Sequence, residues 1–237
     1  MHERMEESVY LTDREFIVLA ACAGLTEADA LFRKPVSTDM TEQEVRYICH
    51  DLLRRKALEP GKGPVEPYLT MMKTIEAAPQ VILVTLRDPA RTLCYYLGRS
   101  VVRTEISPLE ENSIRIRLLS GEDFPKDFLS LEAFPRTECG ALEPDEAGKE
   151  RIRKLLNRPP FFKEQFLEEK ELPENVMMNA EQFHSGKRKV IRRILMLEDS
   201  GRDYTAVFHD GGFGSFLYTG EEFTKLLRQI QGESEQP

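Results

Sequence analysis

The chain has 237 residues, of which 41% are hydrophobic and 31% charged, and its formal net charge is −8. That length supports one large core or two small ones, and the acidic balance opposes the phosphate backbone of nucleic acids. The opening MHERMEESVY lacks an apolar core of signal-peptide length, and no apolar run reaches the roughly 20 residues of a membrane span, so a cytoplasmic protein without membrane insertion is expected. Cys22, Cys49, Cys94 and Cys139 stand far apart, without CxxC spacing or a histidine at zinc-ligand spacing. They read as reduced thiols, Cys22 and Cys49 as small hydrophobes at apolar helical positions.

In chain order, TDRE is a capping box: Thr12 caps a helix and Glu15 reaches back to it, ahead of the apolar Phe16, Ile17, Leu19 and Ala20, with Gly24 as a left-handed stop. TEADALF repeats the pattern on a short scale. TEQE at 41 to 44 opens a second long helix, with Val45, Ile48, Cys49, Leu52 and Leu53 at helical spacing. Pro60, Gly61 and Gly63 then force a turn before a short helix that starts near Pro67.

From Val81 the period changes to that of strands. VILVTL, TLCYYL, VVRTEI and SIRIRLL are rich in β-branched and aromatic residues and are separated by turn chemistry, which predicts an antiparallel meander. Val102, Thr104 and Ile106 alternate with Arg103 and Glu105, and Ile114, Ile116 and Leu118 with Arg115 and Arg117. One face should therefore be buried and the other should carry paired charges in solvent, as a ladder or a docking surface. Residues 121–144 read as a connection with one short helix. DEAGKERIRKLLNRP, FFKEQFLEEKEL and ENVMMNAEQFHSG read as three helices, VIRRILML, DYTAVFH and GFGSFLYT as strands. TGEE caps a last helix, and QGESEQP should fray.

The segments ILVTLRDPARTLCYYLGRSVVRTEI and ILMLEDSGRDYTAVFHDGGFGSFLYT share an order of strand, Asp-x-x-Arg turn, strand, glycine turn and strand, with Asp88 and Arg91 matching Asp199 and Arg202. The expected architecture is thus one α+β domain over 1–237, in two similar α-then-β halves, about 10–120 and 145–231, joined by 121–144. HDGGFGSF at 209 to 216 does not have the strand-to-helix context of a phosphate loop. Its Asp210-Gly211 supplies the positive φ angles of a two-residue hairpin turn.

GxxxxGKS, HExxH, GxSxG and EF-hand patterns are absent, as is any metal-ligand cluster, so no catalytic, cofactor or metal residue is assigned. The order of LTDREFIVLAACAG, EVRYICHDLLRRKALEPGKGPVEPYLTMM and LEDSGRDYTAVFHDGGFGSFLYTGEEFTKLLRQI resembles that of the EspG family, cytosolic chaperones of type VII secretion. The resemblance spans most of the chain and implies a twisted antiparallel sheet flanked by helical bundles, with quasi-twofold symmetry between the halves. It also implies a non-catalytic function: binding the helical tip of a secretion substrate and keeping that partner soluble until export.

A partner-binding surface on the exposed sheet face follows, with Leu97 and Phe216 as apolar anchors and Arg103, Arg115 and Arg117 as a polar rim. No nucleic acid is expected as a partner, and the protein is expected as a monomer or homodimer. Two alternatives are a winged-helix DNA-binding regulator, resting on Arg46, Arg54, Arg55 and Lys56 of TEQEVRYICHDLLRRKAL, and an enzyme whose site assembles only in three dimensions.

Overall fold

The computed structural model describes residues 8–25, 39–87, 91–106, 113–134, 145–156, 176–184, 190–199, 201–209 and 212–235. The first three helices are α1 (Asp13–Cys22), α2 (Glu42–Arg54) and α3 (Tyr68–Ala77), and the short strands β2 (Leu58–Glu59) and β3 (Gly63–Pro64) pair between α2 and α3. The two capping boxes form as expected. Thr12 Oγ1 accepts from the Glu15 N–H at 3.1 Å while Glu15 accepts from the Thr12 N–H at 2.7 Å. Thr41 and Glu44 repeat the exchange at 3.2 and 2.8 Å. Gly24, at φ 85°, ends α1, and Leu25 and Gly24 donate back to Ala20 and Ala21, both at 3.0 Å.

One antiparallel sheet of nine strands dominates the described residues. It contains β1 (Ser8–Thr12), β4 (Gln80–Leu86), β5 (Thr92–Leu97), β6 (Ser100–Ile106), β7 (Ser113–Ser120), β8 (Val176–His184), β9 (Val190–Asp199), β10 (Arg202–His209) and β11 (Gly212–Leu217). The order is β1-β7-β6-β5-β4-β8-β9-β10-β11. Two four-strand meanders therefore lie side by side, the first strand of each at the centre, and a helix follows each: α4 (Phe124–Leu129) after β7 and α6 (Gly220–Glu235) after β11. A last helix, α5 (Glu146–Leu156), lies between the meanders in sequence. This is the α+β fold expected, a large sheet with helices against it.

The strand order makes β4 the positional counterpart of β8. The turn carrying Arg91, between β4 and β5, thus corresponds to the connection at 185–189 and not to the β9–β10 turn, so the expected match of Asp88 and Arg91 to Asp199 and Arg202 is displaced by one strand. Asp88 itself lies outside the described residues.

Each face of the sheet packs against helices. Ile82, Val84, Leu93, Tyr95, Met178, Ala180, Ile194 and Met196 meet Phe124 and Phe128 of α4 and Phe223, Leu227 and Ile230 of α6 in one apolar cluster. On the opposite face Leu83, Tyr96, Val102, Ile114 and Ile116 meet Phe16 and Leu19 of α1, Leu52 of α2 and Met71, Met72 and Ile75 of α3. Each buried Val, Leu, Ile, Phe or Met side chain here contributes about 1.5–3 kcal/mol by leaving water.

Three elements differ from the sequence expectation. VMMNAEQFH, read as a helix, is β8, the central strand bonded to β4 and β9; pairing on both edges outweighs the helix propensity of its Met, Ala, Glu and Gln. SVYLT, not anticipated as a strand, is β1, which pairs with β7 from Ser8↔Arg117 to Thr12↔Ser113. The segment expected to fray continues α6 as far as Glu235. The helices expected in TEADALF and FFKEQFLEEKEL fall outside the described residues.

Candidate protein-binding surface

The register of β6 on β7 places Arg103 directly opposite Arg117 on one face of the sheet. Like charges in that position repel, and the countercharge comes from outside the sheet. Asp127 of α4 accepts from Arg103 Nη1 at 3.0 Å and from Arg117 Nη1 at 2.7 Å, and from the Tyr95 hydroxyl at 2.9 Å. Arg103 also donates to Glu105 at 2.8 Å, Glu105 accepts from Arg91 at 2.9 Å, and Arg91 reaches Glu132 at 2.7 Å. Cations and anions alternate along this chain of contacts, so the network as a whole is close to neutral.

Burial opposes the charge of Arg103, yet Tyr95, Asp127 and Glu105 around it hold its pKa above the ordinary arginine value. Burial acts on Glu105 too, but the hydrogen bond from Arg91 and the charge of Arg103 bring its pKa below the usual value. Burial drives the Tyr95 phenol well above its ordinary value, against the opposing charge of Arg103.

This geometry corrects the predicted binding face. Arg103 is 6% exposed and Leu97 0%, because α4 and α6 roof the face that was expected to meet solvent. Leu97 is a core residue, and Arg103 and Arg117 hold α4 to the sheet. Phe216 is opposite Thr205 in the β10–β11 register, and its side chain lies outside the described residues. Arg115 and Arg117 are both half-buried, and the Arg115 guanidinium is 5.7 Å from the ring centroid of Tyr10 on the edge strand β1, in a cation–π contact. Tyr10 is 54% exposed.

A second exposed aromatic was not singled out by the sequence. Tyr47, on α2, is 75% exposed and lines a cleft of about 570 Å³ with Thr12, Arg14, Gln43, Glu44 and Ile48. The ion pair of Arg14 with Glu44, at 2.6 Å, crosses from α1 to α2 in this cleft. An exposed ring with a partly apolar floor and a charged rim has the anatomy of a protein contact site. Aromatic exposure is what identifies Tyr10 and Tyr47, and a period-based reading of α2 cannot separate Tyr47 from its buried neighbours.

The basic end of α2 is not poised for phosphates. Arg46 pairs with Glu42 at 2.5 Å, Arg54 with Asp51 at 2.6 Å and Arg55 with Glu15 at 3.0 Å. The hairpin reading of HDGGFGSF holds: His209 of β10 is opposite Gly212 of β11, leaving two residues to make the turn. Among the described residues, no group of three or more His, Cys, Asp or Glu side chains is placed to hold a metal ion, and no helix is long and apolar enough to cross a membrane.

No protein-family model matches the chain, and no curated protein matches it. Among solved structures, the fold is that of a type VII secretion chaperone. The chain is similar to the Mycobacterium tuberculosis type VII secretion system chaperone EspG5, solved in complex with a PE25–PPE41 dimer, with a TM-score of 0.58 and 11% sequence identity over 97% of each chain. The EspG-like fold implied by the sequence resemblance is thus the fold observed.

Proposed function

We propose that this protein is a cytoplasmic chaperone of type VII secretion that binds a helical export substrate, keeps it soluble and performs no catalysis. The observation that carries the reading is the likeness of fold to EspG5, which covers 97% of both chains and whose solved form is a complex with a PE25–PPE41 dimer. The free protein is a monomer or homodimer in this reading. The contact surface comprises the cleft of Tyr47 and the edge strand at Tyr10, with the half-buried Arg115 beside it.

The test is co-expression with small helical proteins encoded beside the gene, followed by affinity capture through a tag on this chain. A soluble co-purifying partner is expected. Tyr47→Ala and Arg115→Glu together should weaken capture by about tenfold or more, since central aromatic anchors and misplaced charge each cost more than about 1 kcal/mol at an interface. Tyr47→Ala should leave the melting temperature near wild type, because Tyr47 is exposed, whereas Arg115→Glu, directly opposite Glu105, should lower it modestly while the protein stays folded. Failure of the wild type to capture any neighbour contradicts the chaperone reading; full capture by the folded double variant contradicts the surface.

A further inference from the structure

A second cleft, of about 840 Å³, opens beside α4 and α6, on the face of the sheet that they cover. Its lining brings together cations from three elements: Arg99 in the turn between β5 and β6, Lys126 on α4 and Arg228 on α6. All three residues are exposed. Among the described residues neither Arg99 nor Arg228 has an ion-pair or hydrogen-bonded partner, and Lys126 meets Asp123 only at 3.9 Å. Glu122, the acid of the lining, pairs with none of the three among the described residues. The backbone beneath each cation is nevertheless fixed. Leu97 and Val101 pair across the turn of Arg99, Phe124 and Phe128 stand on either side of Lys126, and Leu227 and Ile230 on either side of Arg228; all six are fully buried. The rings of Phe128 and Phe223, 5.9 Å apart, join α4 to α6. The Gln231 amide lies against Gly121, where a side chain would collide with it, so the end of α6 closes over the turn between β7 and α4.

We propose that this cleft binds a short acidic segment of a second protein, whose carboxylates are taken by Arg99, Lys126 and Arg228. The excess of cations in the lining selects an anion. A guanidinium offers a carboxylate a fork of donors, and one without a partner has no ion pair to give up on binding. Glu122 opposes a compact polyphosphate, which cannot keep its charges away from it. A peptide can space its carboxylates around Glu122 and turn a backbone N–H toward it. Among the described residues the lining has no aromatic ring on which a nucleobase could stack, and the net charge of −8 opposes a nucleic-acid backbone. A cleft of about 840 Å³ is on the scale that encloses a drug-sized ligand, or a few residues of peptide. The helices that carry the Tyr47 cleft pack on the opposite face of the sheet. The acidic segment can therefore be held whether or not a substrate occupies that cleft.

The full-length chain is titrated into a short fluorescein-labelled peptide of alternating glutamate and glycine, and binding is read by fluorescence anisotropy at low and at physiological salt. The acidic surface as a whole repels such a peptide, so binding reports a local site. Saturable binding is expected, weaker at the higher salt, with none for the same peptide carrying glutamine in place of glutamate. Arg99→Gln with Arg228→Gln should weaken binding about tenfold or more, because two charge-assisted contacts are lost. The melting temperature should stay near wild type, since both residues are exposed. Lys225→Gln removes a cation from α6 outside the cleft and should bind as the wild type does. A wild type that does not bind the glutamate peptide overturns the proposal, as does full binding by the folded double variant or a loss in Lys225→Gln as large as in that variant. Displacement of the peptide by inorganic tripolyphosphate at concentrations below the peptide's own Kd also overturns it, because the cleft then prefers a small polyanion.

Discussion

Asp127 binds Arg103 and Arg117 at once, at 3.0 and 2.7 Å, and thereby places one helical carboxylate between two arginines that the sheet sets directly opposite each other. The side chains of Arg103 and Asp127 are 8% and 6% exposed. Removing the acid breaks a buried ion pair with each arginine and leaves Arg103 only Glu105 of the two carboxylates it now touches; breaking a buried pair costs about 3–5 kcal/mol. Asp127→Asn should therefore lower the unfolding free energy by an amount in that range, read as a fall in the urea midpoint. Asp127→Leu combined with Arg103→Met should recover part of the loss, because an apolar pair avoids the desolvation of an unpaired ion. A single variant with the wild-type midpoint would show that Asp127 does not carry the helix.

The Tyr95 phenol donates to the same carboxylate within an aromatic group that includes Phe124 and Phe128 at 5.4 and 5.1 Å. Tyr95→Phe keeps the ring and deletes one donor, so a loss of about 1 kcal/mol is expected. Because burial holds the phenol well above its ordinary pKa, the native protein should show no phenolate absorbance from Tyr95 through the range in which exposed tyrosines ionise. Normal ionisation of Tyr95 in the folded state would contradict its placement.

Lys56 follows α2 in the left-handed region, at φ 58°, while Ala57 and Lys56 donate back to Leu52 and Leu53 at 2.8 and 3.0 Å. That closing motif favours glycine. A side chain there costs roughly 1–2 kcal/mol, of which the greater freedom of unfolded glycine returns roughly 0.5–1 kcal/mol. Lys56→Gly should stabilise the protein by a few tenths of a kcal/mol up to about 1 kcal/mol, and Lys56→Val should destabilise it. Chemical denaturation of the three proteins side by side tests the sign, and destabilisation by glycine would refute the backbone assignment.

The Thr41 backbone N–H, the Thr41 hydroxyl and Arg14 hold Glu44 down to about 2 from the ordinary 4.5. A folded-state value below the unfolded one means that the contribution is complete above about 4.5 and is lost as pH falls through about 2. The α1–α2 junction should thus loosen progressively in acid over that window. A carboxyl carbon titration by NMR should find Glu44 near the lower value, and Thr41→Val should move it upward. An ordinary midpoint for Glu44 in the wild type would rule out the capping geometry.

Local chemistry was legible where a few adjacent residues decide the conformation. The boxes of Thr12 and Thr41, the stop at Gly24 and the hairpin at 209–212 all depend on groups within about four residues of one another. β8 was not legible in this way. Met178 and Ala180 face one apolar cluster, while Glu181, on the other face, pairs with Arg193 at 2.7 Å and is fully buried. A strand covered on both faces has no polar side to reveal the two-residue period. The charged alternation of β6 and β7 was read correctly as strand and wrongly as solvent-facing, because the acid that covers it belongs to DFPKDFL, in a segment with no period of its own. The paired arginines in register were the available signal. The accessible aromatics of the candidate surface depend on how helices pack, which spacing along one helix does not reveal.

The central claim is that this fold captures a helical export substrate in soluble form. The most direct measurement is the molar mass, by size exclusion with light scattering, of the purified chain mixed with each helical protein encoded beside its gene. The predicted result is a peak whose mass equals the 27.3 kDa chain, or two copies of it, plus the bound substrate, with the substrate remaining soluble only in that peak. Elution of the chain at its own mass in every mixture, with each candidate soluble or aggregated independently of it, would contradict the account.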